Sequence, residues 1–327
     1  MNKTAAILCA AFSFLCLAVF ADEDGKRVLG KLDTMTKGTP TGILGIQTDT
    51  TSGPDGVPGE SGELAGVPSP PPSRRPDLKG REMTAEVAAK YPPDKFVSRV
   101  VVNNAWDVGE NLVFSVDYGF YRAGTASMSV MGAENVNGGV CYHIRTTAES
   151  NNFISSFYKV RDKVDTYIDM KGIFSRRFEK RLREGGFSSD EFVDVYQDRL
   201  IALSTKQKRA LVEVPLYVQD ILSTLYYIRT FDLHVGKNET IETYADGKVY
   251  PLKVLVYKKE KIEVPAGTFM CILVEPVLKS EGIFRQKGRL LVWLTDDKNR
   301  IPVKMTSKVA IGNIAAKLEY YRKSAEK

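Results

Sequence analysis

From Asn111 onward the chain is written in short runs of alternating apolar and polar residues. Asn111–Tyr118, NLVFSVDY, sets Leu112, Phe114, Val116 and Tyr118 against Asn111, Ser115 and Asp117, the period of a strand with one buried face. The same reading predicts strands at 125–131, 140–150, 160–169, 174–183, 191–196, 200–204, 239–244, 248–256, 260–264, 269–277, 288–295, 301–307 and 314–321. A helical or irregular corner is expected at Asn151–Tyr158. One stretch breaks the pattern. In Val218–Thr230, VQDILSTLYYIRT, apolar residues fall at Val218, Ile221, Leu222, Leu225 and Tyr226, one face of a helix, with Asp220 early and Arg229 late as the helix dipole favours. A lone amphipathic helix among many strands needs a sheet to cover. The expected fold is therefore mainly all-β: an antiparallel curved sheet or barrel of roughly a dozen strands with one amphipathic helix packed into or across it.

The first 95 residues read differently. Met1–Lys3 followed by the apolar run Thr4–Ala21 has the form of a secretory signal peptide, with cleavage placed after Ala21. The rival reading is an uncleaved inner-membrane anchor through residues 4–21, since the run approaches the ~20 residues that span a bilayer. Residues 22–95 are rich in Gly, Pro, Ser and Thr without a sustained period, as in a disordered linker. Within them Thr84–Lys90, TAEVAAK, is expected to form two helical turns capped by Thr84 before Pro92 and Pro93. Residues 96–327 then form a single β-barrel-like domain, and the protein is expected to be exported, periplasmic or associated with the outer envelope.

The net charge of +6 is spread among interspersed acidic residues, which is no nucleic-acid footprint and suits at most contact with an anionic surface. Beyond the leader the cysteines are Cys141 and Cys271, both in apolar runs, and the sequence does not decide between one disulfide and two buried thiols. The two histidines, His143 and His234, fit no metal-ligand spacing, and no nucleophile elbow, P-loop or dinucleotide fingerprint is present. No metal, cofactor or nucleic-acid partner is expected. Cys141 and His143 share one face of a strand, and His234 stands beside Asp232, but packing explains both placements better than a catalytic couple.

Two groups carry a binding hypothesis. Phe153, Phe157, Tyr158, Tyr226, Tyr227 and Trp293 lie in the corner, the helix and a late strand, where they would line an apolar pocket under a helical lid or simply form the core. In Ser175–Arg183, SRRFEKRLR, residues Arg177, Arg181 and Arg183 share one face of a strand whose other face is also basic. That pattern is expected of a charged rim or edge strand that meets anionic lipid or an acidic polymer.

Four segments taken together resemble a known family: GENLVFSVDYGFYRAGTASMSV, VQDILSTLYYIRT, EVPAGTFMCILVEP and LVWLTDDKNRIPVKM. They are similar, in order, to the bacterial envelope family called domain of unknown function 3108, over about Trp106–Tyr321. The resemblance implies a secreted or periplasmic β-rich domain similar in form to barrels that hold apolar ligands, and it implies no reaction. The expectation is a non-catalytic carrier of an apolar or lipid-like molecule. A fully packed barrel that docks a partner is the second reading, and a hydrolase with dispersed catalytic residues the third. The oligomeric state is not readable.

Overall fold

The computed structural model describes residues 83–94, 96–156, 158–206, 210–278, 289–308 and 313–324. The expected signal peptide, the linker up to residue 82 and Phe157 lie outside the described residues. Among the described residues fourteen strands form one antiparallel sheet. They are β1 (Asn111–Tyr118), β2 (Tyr121–Val136), β3 (Gly139–Ser150), β4 (Arg161–Asp169), β5 (Ser175–Glu184), β6 (Phe187–Tyr196), β7 (Ile201–Ser204), β8 (Leu211–Glu213), β9 (Asn238–Ala245), β10 (Lys248–Val264), β11 (Gly267–Leu278), β12 (Leu290–Thr295), β13 (Pro302–Lys308) and β14 (Asn313–Arg322). The sheet order runs β8 down to β1, then β14 down to β9, so β1 and β14 join the two halves and β8 and β9 are the edges. Three helices are described: α1 (Ala85–Lys90), α2 (Asn152–Ser155) and α3 (Ile221–Ile228).

Strand alternation decides what the concave face contains. Phe114 pairs with Ala126 and Leu318, and Met305 pairs with Ala316 and Val292, so these apolar side chains share the inner face. Leu112, Phe114, Leu318 and Val303 are fully buried there, each stabilising the fold by roughly 1.5–3 kcal/mol.

The curved sheet is not closed by strand pairing, and the chain just before α3 spans the gap. Gln219 lies opposite Thr243 of β9 in a parallel bridge, its N–H donating to the Glu242 carbonyl at 2.9 Å and its carbonyl accepting from the Tyr244 N–H at 2.7 Å, while the Val218 carbonyl accepts from the Ser175 N–H of β5. This use of residues 218 and 219 shortens the helix expected at Val218–Thr230. Asp220 ends the bridge and caps α3: its Oδ1 accepts from the backbone N–H groups of Leu222 and Ser223, and the Ser223 hydroxyl accepts from the Asp220 N–H. Its Oδ2 accepts from the hydroxyls of Thr166 and Ser175, so the cap also ties the helix to β4 and β5. Ser223 and Thr224, which are not part of the apolar face, are buried as well, and the Thr224 hydroxyl meets that of Thr243 at 3.1 Å. The helix is thus buried on both faces and plugs one end of the barrel.

Ala105 and Trp106 fill the same end. The Trp106 indole N–H donates to the Tyr226 carbonyl at 3.0 Å, and its ring stands edge-on to Tyr142 and Tyr226. The domain also begins earlier than residue 96. Thr84 caps α1, and the segment docks on the barrel: the Asp94 N–H donates to the Asp198 carbonyl and the Arg199 guanidinium to the carbonyls of Ala88 and Tyr91. Among the described residues no helix is long and apolar enough to cross a membrane.

Candidate functional site

The segment that docks before β1 encloses a groove of about 420 Å³ against the barrel wall. Met83, Phe96 and Tyr196 supply apolar surface, and Asn137, Gly138, Arg176, Asp198 and Arg199 supply polar groups. Local sequence explains the shape. Asn137 and Gly138 have φ of +46° and +77°, the left-handed pair of a two-residue hairpin turn between β2 and β3. Asn137 then reaches over β5 and β6, its side-chain amide donating to the Arg176 carbonyl at 2.8 Å and to Asp194 Oδ1 at 3.1 Å. Arg176 sits where the β4–β5 register slips, so it leaves the strand alternation and turns into the groove.

The Arg176 guanidinium is held on two sides. Nε donates to Asp169 Oδ2 and Nη1 to the Asn137 carbonyl, both at 2.8 Å, while Asp169 Oδ1 accepts from the N–H groups of Lys171 and Gly172. Among the described residues Nη2 makes no hydrogen bond. Gly139 permits this approach, because a Cβ there would lie 2.4 Å from Arg176 Cζ. On the apolar side Phe96 meets Phe174 edge-on at 5.7 Å and Tyr217 at 6.1 Å. The groove therefore offers an aromatic and aliphatic wall beside a fixed, planar cation, a combination suited to an amphiphile with an anionic head.

Of the six aromatic residues expected to line one pocket, Phe157 lies outside the described residues and the other five do not gather round one cavity. Tyr226 and Tyr227 are in α3 at the plugged end, Tyr226 fully buried and Tyr227 edge-on to Phe231 at 4.7 Å. Phe153 lies in α2 and Tyr158 just after it at the opposite end, the first exposed and the second packed over Gly185. Trp293 pairs with Leu273 and Lys304 on the convex face, where its indole N–H donates to Glu260 Oε1 at 2.8 Å.

The basic strand is not an edge. β5 lies between β4 and β6, and each guanidinium on its outer face has acidic partners. Arg177 pairs with Asp194 at 2.7 Å, Arg181 with Glu179 at 2.7 Å and Asp165 at 3.3 Å, and Arg183 with Asp190 at 2.5 Å. The rim reading is corrected: these charges are largely neutralised across neighbouring strands.

The thiols are free, which corrects the disulfide alternative. Cys141 is packed with Val136 and Tyr167, whereas Cys271 belongs to the main core on β11, six places away in the sheet order. Burial pushes each thiol up to about 12. Both should resist maleimide in the folded chain and label fully in denaturant; labelling of either in the native state would contradict this packing. His143 forms no couple with Cys141. Its Nδ1 faces Glu134 at 2.7 Å and its Nε2 faces Asp165 at 2.8 Å, and the ring stacks on Tyr167. Burial opposes ionisation of Asp165, but the His143 hydrogen bond and the Arg145 charge outweigh it and keep the carboxyl below its ordinary range. His234 and Asp232 do pair, at 2.8 Å, on open surface.

Sequence reasoning missed Met83, Phe96, Asn137, Arg176 and Arg199. The Asn137-Gly138 dipeptide is a hairpin-tip signal and could have placed one wall. The docking of the preceding segment has no local signature.

The sequence profile of the family described as protein of unknown function (DUF3108) matches residues 113–319. No curated protein matches the chain. Among solved structures, the chain is similar to a β-barrel-like protein of domain of unknown function DUF1849 from Brucella abortus, at 12% identity and a TM-score of 0.46, covering 70% of this chain and 100% of that one. It is also similar to the hypothetical protein CT021 from Chlamydia trachomatis, at 6% identity and a TM-score of 0.32, covering 68% of this chain and 90% of that one. A DUF1089 family protein from Pseudomonas aeruginosa matches at 8% identity and a TM-score of 0.30, covering 64% of this chain and 95% of that one.

Proposed function

Because the chain belongs to the family of proteins of unknown function DUF3108, whose description carries no reaction, we propose its function from the groove: a non-catalytic binding domain of the cell envelope that carries a lipid-like amphiphile. The observation that carries this reading is the 420 Å³ groove with its aromatic wall and the fixed Arg176 guanidinium. The ligand's apolar body lies along Phe96, Met83 and Tyr196, and its anionic head accepts from Arg176 Nη2. Export rests on the apolar leader at Thr4–Ala21. The buried thiols and the doubly bonded His143 support a role without covalent chemistry.

The test is native mass spectrometry of the chain purified from its own compartment, followed by organic extraction. A retained anionic amphiphile is expected, and Gly139→Ala, which displaces the Arg176 head, should lower its occupancy about tenfold while leaving the fold intact. A ligand-free mass for the wild type would favour the second reading, a packed module that docks a partner. That reading has its own support in the Trp106, Tyr142 and Tyr226 cluster that fills the plugged end of the barrel.

A further inference from the structure

The end of the barrel opposite α3 has a different surface. Because consecutive strands are antiparallel, the β1–β2 turn, the α2 connection between β3 and β4, and the β5–β6 turn all emerge at that one end. Each carries exposed aromatic residues: Phe120 at 104% and Tyr121 at 76%, Phe153 at 75%, and Phe187 at 48% relative exposure. Three connections in succession each display a ring to water, where aromatic side chains are ordinarily buried.

The spacing identifies the occupant. Hairpins two strands wide stand ~10 Å apart along a sheet. Among the described residues the three tips therefore form a row and not a continuous apolar groove of the kind a helix or a folded partner fills. Protruding rings at successive tips suit a deformable medium, and the interface of a bilayer is where aromatic side chains with flanking cations partition. Charge at this end agrees. Arg122 pairs with Glu319 and Arg183 with Asp190, and among the described residues of these three connections Lys159 and Arg161 are exposed cations, whereas of the carboxyls beside them Glu149 is exposed, Glu184 is half-buried and Asp162 is buried.

We infer that this end is a membrane-docking face: Phe120, Tyr121, Phe153 and Phe187 enter the interface of an anionic bilayer while Lys159 and Arg161 meet its headgroups. The docking does not depend on the groove, which opens at the other end of the barrel.

The test is cosedimentation of the purified chain with vesicles of phosphatidylethanolamine and phosphatidylglycerol, compared with phosphatidylcholine vesicles. The wild type is expected to bind the anionic vesicles more tightly. The triple variant Phe120→Ser, Phe153→Ser, Phe187→Ser should lose affinity on the order of tenfold per ring, with its circular dichroism unchanged. Lys159→Glu with Arg161→Glu should abolish the preference for phosphatidylglycerol. A second measurement is independent of affinity. Trp106 and Trp293 are buried, so Phe120→Trp adds the one exposed indole among the described residues, and its emission should shift to the blue on vesicles. No binding by the wild type, equal binding by the triple variant, or an unshifted emission from vesicle-bound Phe120→Trp each overturns the proposal. Gly139→Ala should bind vesicles normally, so loss of groove occupancy and loss of docking are separable.

Discussion

Replacing Arg229 with methionine should destabilise the domain by about 3–5 kcal/mol. Arg229 and Glu110 are both essentially removed from water, at 0% and 2% side-chain exposure, and they form two parallel hydrogen bonds of 2.8 and 2.6 Å. The same guanidinium donates to the carbonyls of Asn299 and Ala105, so one side chain joins the end of α3, the segment before β1 and the β12–β13 turn. Removing the cation leaves Glu110 buried with its charge uncompensated, which is the costly case; removing both charges is not. Urea denaturation of R229M should therefore show a large fall in midpoint, and the double variant R229M/E110L should recover much of it. A loss below about 1 kcal/mol for R229M would show that Glu110 finds water or another partner, and the account of α3 as a fixed plug would fail.

This pair also marks the boundary of what could be read from the chain. Strand β1 was legible to its last residue because its alternation is local and one face is buried. The corner at Asn151–Tyr158 and the Thr84 cap were legible for the same reason: capping chemistry acts over three or four residues. Strand β10 was not, because the run Tyr257–Lys259, with its two lysines, reads as a break between two strands. A bulge at Tyr257 instead lets one strand continue from Lys248 to Val264. Strand β8, of three residues, is too short to show a period. Arg229 reads as a helix-dipole cation, but its role is set by Glu110, which is 119 residues earlier. Arg177, Arg181 and Arg183 were rightly placed on one face, yet a strand's own sequence does not say whether its neighbours are water or strands bearing Asp165, Asp190 and Asp194. Tyr226 and Trp293 look alike in sequence and lie on opposite sides of the sheet, because facing is fixed by register carried across many strands. The groove escaped for the same reason: its walls meet only after the segment before β1 folds back on the β2–β3 and β6–β7 turns.

The stability of the domain should fall as pH rises from about 5 to 9, and Glu184 should be a principal cause. Glu184 ends β5 on the inner face. Burial raises its carboxyl to about 9, and the charge and hydrogen bonding of nearby Asp162 add to the effect. Asp162 Oδ1 accepts from the Arg183 N–H at 2.8 Å, which favours its ionised form and leaves Glu184 as the partner that holds the proton. The sign follows from the direction of the shift. A carboxyl whose folded value lies above its unfolded value stabilises the fold fully below the unfolded value, near 4.5, and loses that contribution as pH climbs toward the folded value, about 9. The slope is at most about 1.4 kcal/mol per pH unit for one proton. Glu184→Gln keeps the hydrogen-bonding shape of the protonated acid and cannot ionise. Wild type and E184Q should therefore have similar urea midpoints near pH 5, whereas near pH 9 the variant should be the more stable by about 2 kcal/mol or more. Comparing the two chains at each pH cancels the titrating groups that do not interact with Glu184, so the difference reports Glu184 together with its partner Asp162. Curves that run parallel across the whole range would mean that Glu184 reaches water when it ionises, and that Asp162 and Glu184 do not share a proton.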